Sequence, residues 1–184
     1  MDPLTTGGSR PRLATVWLGG CSGCHMSFLD MDERLLDLAA RVEIGATPLT
    51  DYKSFAPVDV TLVEGAVANE EHLEQIRHVR RNTRVLIAFG DCAVTGNVTA
   101  LRNLFAVDDV LDRAYRQTSA VVVGMPGGDG IVPRLLDRVR PLHELVKVDY
   151  HLQGCPPSAD AIFELLTALL DGRLADLRGE RRFG

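Results

Sequence analysis

Lysine is nearly missing from this 184-residue chain: of its 20 basic residues, 18 are arginine and only Lys53 and Lys147 are lysine. Acidic residues outnumber basic ones by 25 to 20, leaving a net charge of −5. That balance gives no electrostatic footing for nucleic acid or an anionic membrane surface. No apolar run approaches the ~18 residues of a membrane span. Residues 1–12 carry neither the apolar core of a secretory leader nor a twin-arginine signal. These absences point to the cytoplasm. Internal repeats and low-complexity tracts are missing too. Cysteines number only four, and in a reducing compartment so few thiols argue for metal or redox chemistry rather than disulfides.

What is present is ordinary for a globular protein: 46% apolar and 24% charged residues, in a chain long enough to bury a core. The arginine bias suits bidentate contacts with carboxylates and hence protein–protein contact, although a GC-rich coding sequence would produce the same bias. Residues 1–11 read as a flexible leader, 12–172 as one domain and 173–184 as a polar tail.

Apolar runs predict strands at Arg12–Leu18, Val58–Val63, Arg84–Phe89 and Val146–Leu152, with a weak strand beginning at Val42. Phe28, Met31, Leu35, Leu38 and Val42 recur at steps of three and four, which predicts one helix from about His25 to Arg41. A second helix, N-capped by Asn69, should run to about Arg81, and a third should follow the cap Ser158. Val107–Gln117 has a helical pattern, Ala120–Val123 is strand-like, residues 124–130 read as a glycine-rich loop, and 131–146 as a short helix with turns. Strands alternating with helices predict a three-layer α/β fold on a parallel sheet. Ligands of such sheets sit beyond the carboxyl ends of the strands.

All four cysteines fall at predicted strand ends. Cys21 and Cys24 lie in the glycine-rich loop Gly19-Gly20-Cys21-Ser22-Gly23-Cys24. Cys92 follows Gly90-Asp91, and Cys155 sits in Gly154-Cys155-Pro156-Pro157. Four thiols converging from separate strands suit one 4Fe-4S cluster, and a proline after a ligating cysteine fits the same chemistry. Gly20, Gly23, Gly90 and Gly154 would let backbone approach the inorganic sulfurs, with Pro156 closing the last ligand turn. Zinc also takes four cysteines, but usually from two compact knuckles rather than from separate strand ends. A thioredoxin-type pair would account for Cys21 and Cys24 and leave Cys92 and Cys155 unexplained. Glu64, at the end of its strand, could relay protons or fix a partner, or it could simply cap backbone N–H groups. His25 reads as a hydrogen-bonding neighbour rather than a ligand.

Gly20-Cys21-Ser22-Gly23-Cys24, Val63-Glu64-Gly65-Ala66-Val67, Gly90-Asp91-Cys92-Ala93 and Gly154-Cys155-Pro156-Pro157 together resemble the small subunits of nickel–iron hydrogenases. That family is related to the 20 kDa-type subunit of respiratory complex I. The resemblance implies a flavodoxin-like domain whose Cys21, Cys24, Cys92 and Cys155 hold one 4Fe-4S cluster. Complex I members have adjacent cysteines in the first motif, whereas two residues separate them here. The twin-arginine leader and the cysteine-rich C-terminal domain of membrane-bound members are also missing. The resemblance therefore narrows to the short small subunits of soluble, NAD-reducing enzymes. Their partners are a large subunit with the nickel–iron centre and diaphorase subunits with iron–sulfur clusters and FMN. The flavodoxin-like fold also admits FMN on this chain, but the cluster would fill much of the flavin phosphate site, and FMN is not assigned. An F420-reducing hydrogenase subunit and a zinc-stabilised interaction domain are the alternatives.

Overall fold

A computed structural model describes residues 10–52, 54–117 and 130–173. Five strands build one parallel sheet: β1 (Arg12–Trp17), β2 (Glu43–Ile44), β3 (Val58–Glu64), β5 (Thr83–Phe89) and β7 (Tyr150–Leu152), in the order β2-β1-β3-β5-β7. This is the doubly wound flavodoxin-like order, in which the chain reverses its winding between β1 and β3. β3 is buried along nearly its whole length, Thr61 and Glu64 included, because both its faces are covered. Alternate residues of the sheet feed two cores. Leu13, Val60, Leu62, Ile87 and Phe89 pack against α1 (Gly23–Leu29), α2 (Arg34–Arg41) and α6 (Ala159–Leu170). Val16, Val63, Leu86 and Ala88 pack on the opposite face against α3 (Glu70–Arg81) and α4 (Asp91–Thr95). The three-layer architecture follows directly from that alternation.

Several local expectations hold. The Asn69 side chain accepts a hydrogen bond from the His72 N–H at 2.8 Å and starts α3. Ser158 does the same for α6 through the Ala161 N–H at 3.2 Å. A helix also forms at α5 (Val107–Tyr115).

Others are corrected. The helix predicted over 25–41 is two helices, because Asp32 takes a left-handed conformation at φ 51° and the chain turns between them. Residues 131–146 hold strand β6 (Leu135–Arg140), paired antiparallel to a short strand β4 (Val67–Asn69), followed by a 3-10 turn at Leu142–Glu144. The last sheet strand is shorter than its apolar run, since only Tyr150–Leu152 joins the ladder. Residues 97–104 form a 3-10 helix. The strand-like Ala120–Val123, most of the 124–130 loop, most of the leader and nearly all of the tail lie outside the described residues.

Candidate metal centre at the strand ends

Trp17, Glu64, Phe89 and Leu152 are the final rung of the sheet, paired across β1, β3, β5 and β7. Every cysteine lies just beyond that rung. Cys92 and Cys155 each stand three residues past it, after Phe89 and Leu152, and Cys21 and Cys24 occupy the loop and first turn of α1 after β1. Glu64 is on the rung itself, between the strands that carry the two groups of thiols, and beside the switch point where the strand order reverses. Cys24 is buried, Cys92 half-buried, and Cys21 and Cys155 are exposed, so the thiols span from the core to the surface.

Hydrogen bonds lock the four loops together. Gly19 and Ala66 exchange backbone hydrogen bonds at 2.9 and 2.8 Å, tying the cysteine loop to the turn after β3. Asp91 joins the other two loops: its N–H donates to the Gly154 carbonyl at 2.9 Å, and its carboxylate accepts the Gly154 N–H at 2.8 Å. The Ser27 hydroxyl donates to the Pro157 carbonyl at 2.5 Å, fastening α1 to the turn that contains Pro156. The Cys155–Pro156 peptide is cis, and both residues are exposed.

The predicted glycines stand where side chains would obstruct the thiols or each other. A Cβ on Gly90, at φ 82°, would lie 2.2 Å from the Cys24 sulfur. Gly154, at φ 136°, would drive a Cβ to 2.6 Å from Pro157 backbone. Gly20 runs 3.3 Å, measured from its missing Cβ, from the Gly65 Cα and 3.5 Å from Glu64 Oε1. Gly23 donates its N–H to the Cys21 sulfur at 3.4 Å. At Gly90 and Gly23 the backbone is therefore shaped around sulfur, and at Gly20 and Gly154 around neighbouring backbone and Glu64.

Burial, joined by the Glu64 carboxylate and then by the other three thiols, pushes the Cys24 thiol far above its ordinary value. Burial also raises Cys92, against a hydrogen-bond contribution from Thr99 that favours its anion. Four mutually repelling thiolates need a cationic centre to stay deprotonated, and iron supplies one. Among the described residues no three Cys, His, Asp or Glu side chains close around a single ion; a cubane asks for thiolates set apart, one at each corner. The chemistry of the donor set, four cysteines at the ends of neighbouring strands, fits such a cluster.

Glu64 and His25, both almost fully buried, form a unit that the sequence pattern leaves undecided. Glu64 Oε2 accepts the backbone N–H of His25 at 3.0 Å and also meets His25 Nδ1. With Nδ1–H donating to the carboxylate, Nε2 becomes the acceptor for the Thr15 hydroxyl at 3.0 Å. Thr15 in turn shares a hydrogen bond of 2.6 Å with Thr47. Both threonines line a cleft of about 190 Å³ that is rimmed by Trp17, Tyr52, Phe55 and His78. A chain of four buried polar side chains thus runs from the rung beneath the cysteines to this cleft. Thr15, Thr47, Asp91, Asn97 and Thr99 do not stand out in the sequence, since threonine, asparagine and aspartate at strand and helix ends carry no signal of their own.

Comparisons with known proteins give the family of the chain. Residues 21–169 match the model of the NADH ubiquinone oxidoreductase, 20 kDa subunit family. The chain is 43% identical to the NAD-reducing hydrogenase HoxS subunit delta of Cupriavidus necator, an alignment covering 96% of this chain and 88% of that protein. It is 37% identical to a subunit of the F420-non-reducing hydrogenase of Methanothermobacter marburgensis over 90% of its length, and it spans about half, 55%, of that longer relative. Among solved structures, a chain of an NAD+-reducing [NiFe]-hydrogenase in its H2-reduced state superposes with a TM-score of 0.92 at 42% identity, covering 96% of this chain and 100% of that one.

Proposed function

This chain belongs to the NADH ubiquinone oxidoreductase 20 kDa subunit family, and from that premise we propose that it is the electron-relay small subunit of a cytoplasmic NAD-reducing nickel–iron hydrogenase. The observation that carries this reading is the position of the chain's only four cysteines, all just past the final rung of one parallel sheet, within a cradle whose glycines make room for sulfur. Cys21, Cys24, Cys92 and Cys155 would hold one 4Fe-4S cluster as thiolates, with Gly20, Gly23, Gly90, Gly154, Pro156 and Glu64 lining it.

Such a cluster supplies one-electron transfer between a nickel–iron centre on a separate large subunit and diaphorase subunits that carry FMN and reduce NAD. This chain's residues make and break no substrate bond. Gly23 donates its N–H to the Cys21 sulfur, and the buried surroundings of Cys24 keep water from one corner of the site; both adjust how readily an electron is accepted. Exposed Cys21 and Cys155 put another edge at the surface, where a large subunit can approach. NAD as the final acceptor is favoured over F420 by the high identity to an NAD-reducing enzyme along nearly the whole chain. Among the described residues no helix is long and apolar enough to cross a membrane.

Purification of the native complex tests the reading. Hydrogen-dependent NAD reduction should co-purify with this chain, a nickel-containing large subunit and flavin-containing subunits, and the isolated chain should not oxidise hydrogen. A cluster-loaded monomer oxidising hydrogen unaided would overturn the relay role.

A further inference from the structure

We propose that the 3-10 helix 97–104, together with Phe105, is the docking ridge for the nickel–iron large subunit, seated across the two exposed corners of the cysteine site. The inference rests on the electron-relay reading given above. A surface helix ordinarily turns its apolar stripe inward and its polar side chains to water. This one is built the other way round. Val98, Leu101, Leu104 and Phe105 are between 60% and 76% exposed. Thr99, Arg102 and Asn103 are half-buried and bonded to the body of the domain. The Thr99 hydroxyl donates to the Gly19 carbonyl at 3.1 Å, and Arg102 donates to the Ala68 and Leu136 carbonyls at 3.2 and 2.9 Å. The Asn103 amide exchanges hydrogen bonds of 2.9 and 2.7 Å with the Val139 backbone. Side chains three apart eclipse in a 3-10 helix, so Val98, Leu101 and Leu104 stand in one row along its outer side. Such helices rarely exceed three or four residues; the polar tethers hold this one to eight.

The ridge begins at the cysteines. The Asn97 Nδ2–H donates to the sulfur of exposed Cys155 at 3.4 Å, and Thr99 holds the Gly19 carbonyl, two residues before exposed Cys21. Cys24 and Cys92 lie deeper. A partner seated on the row therefore covers the corners of the site that this chain leaves open, and brings its own redox centre beside them. Large apolar side chains gathered in one exposed patch mark a protein contact. The row carries no charge, which suits an apolar groove on a permanent partner more than a charge-steered, transient one. A relay also needs an exit distinct from its entry. Met26 and Leu29 of α1, 59% and 40% exposed, lie on the opposite face of the sheet and leave a second, smaller apolar surface for the diaphorase side. The ridge, the more apolar of the two and the one tied to both exposed cysteine loops, goes to the subunit that delivers the electrons.

The test uses the native complex with this chain affinity-tagged. Leu101→Asp and Leu104→Asp each put a charge on the ridge. Leu36→Asp, at a leucine of α2 that is 73% exposed against 76% for Leu104, is the control. Each ridge variant should weaken retention of the nickel-containing subunit roughly 30-fold or more. The diaphorase subunits and the iron content of this chain should be kept, and Leu36→Asp should match the wild type. Full retention of the large subunit in both ridge variants would overturn the ridge. So would loss of the diaphorase subunits with the large subunit kept, or an equal loss in Leu36→Asp. Where a variant loses its iron, or both partners together, a photo-cross-link from benzoylphenylalanine placed at position 104 of the otherwise wild-type complex decides. A cross-link to the large subunit supports the ridge; a cross-link to a diaphorase subunit, to a second copy of this chain or to nothing overturns it. A wild-type chain that co-purifies with no nickel-containing subunit would instead sink the relay reading itself, a separate and recognisable outcome.

Discussion

Glu64 and His25 come from different elements, the end of β3 and the first turn of α1, yet a single carboxylate oxygen of Glu64 meets both the backbone N–H and the ring Nδ1 of His25. This contact fastens the helix that carries Cys24 to the centre of the sheet. It also completes the chain of side chains through Thr15 to Thr47. The adjacent loops are held by the Gly19–Ala66 and Asp91–Gly154 hydrogen bonds, and Glu64 adds the tie between β3 and α1.

Replacing Glu64 with Ala should strand two buried donors, each costing roughly 1–3 kcal/mol when left without a partner. Glu64→Gln keeps an acceptor oxygen in the same place and should be milder. Denaturant unfolding of the complex-free chain checks the order. Equal losses for the two variants would mean that the charge, not the hydrogen bonds, is what the site requires.

Gly90 and Gly130 separate backbone strain from crowding. Both adopt positive φ, 82° and 81°, but an added Cβ at Gly130 meets nothing within 4 Å, whereas at Gly90 it collides with the Cys24 sulfur. Each Ala substitution should cost roughly 1–3 kcal/mol for the positive-φ backbone. Only Gly90→Ala should also displace a thiol and lower the iron content per chain. If Gly130→Ala lost as much iron, the cradle at Gly90 would have no special role.

The strand ends and the four thiols were legible because they rest on strong local signals: mostly apolar, β-branched runs such as Val58–Val63 and Val85–Phe89, and a glycine one or two residues before each cysteine. Pairing partners were not. Leu135–Arg140 lacks both strict alternation and a fully apolar run, since β6 is only half covered and pairs with the three-residue β4. The apolar spacing of Phe28, Met31, Leu35 and Leu38 continued through Asp30–Glu33 because α1 and α2 bury the same side against one core, so periodicity alone could not reveal the turn at Asp32. The link from His25 to Thr15 and Thr47 depends on residues up to 32 positions apart, which no local pattern encodes.

Asp149 gives a pH signature away from the thiols. Burial pushes its carboxyl up, but the Leu86 N–H at 2.9 Å and Arg80 at 2.6 Å outweigh this and hold it below the usual carboxylate range. A group depressed in the folded state contributes stability above its unfolded value, near pH 4, and loses it as pH falls through the folded value. Asp149→Asn should therefore cost roughly 2 kcal/mol at neutral pH, a difference that narrows as unfolding is measured at progressively lower pH below about 4. A penalty constant down to the lowest pH would show that the anion is not what stabilises this corner.

A single cubane held by Cys21, Cys24, Cys92 and Cys155 can spare none of them. Cys92→Ala and His25→Ala in the anaerobically purified complex test its ligand set, but the most direct measurement is simpler: iron, acid-labile sulfide and zinc counted per copy of the wild-type subunit, after its partners' contributions are subtracted. This chain should carry about four iron and four sulfide, retained in His25→Ala and lost or reduced in Cys92→Ala. Stoichiometric zinc without labile sulfide, or a full cluster in Cys92→Ala, would contradict it.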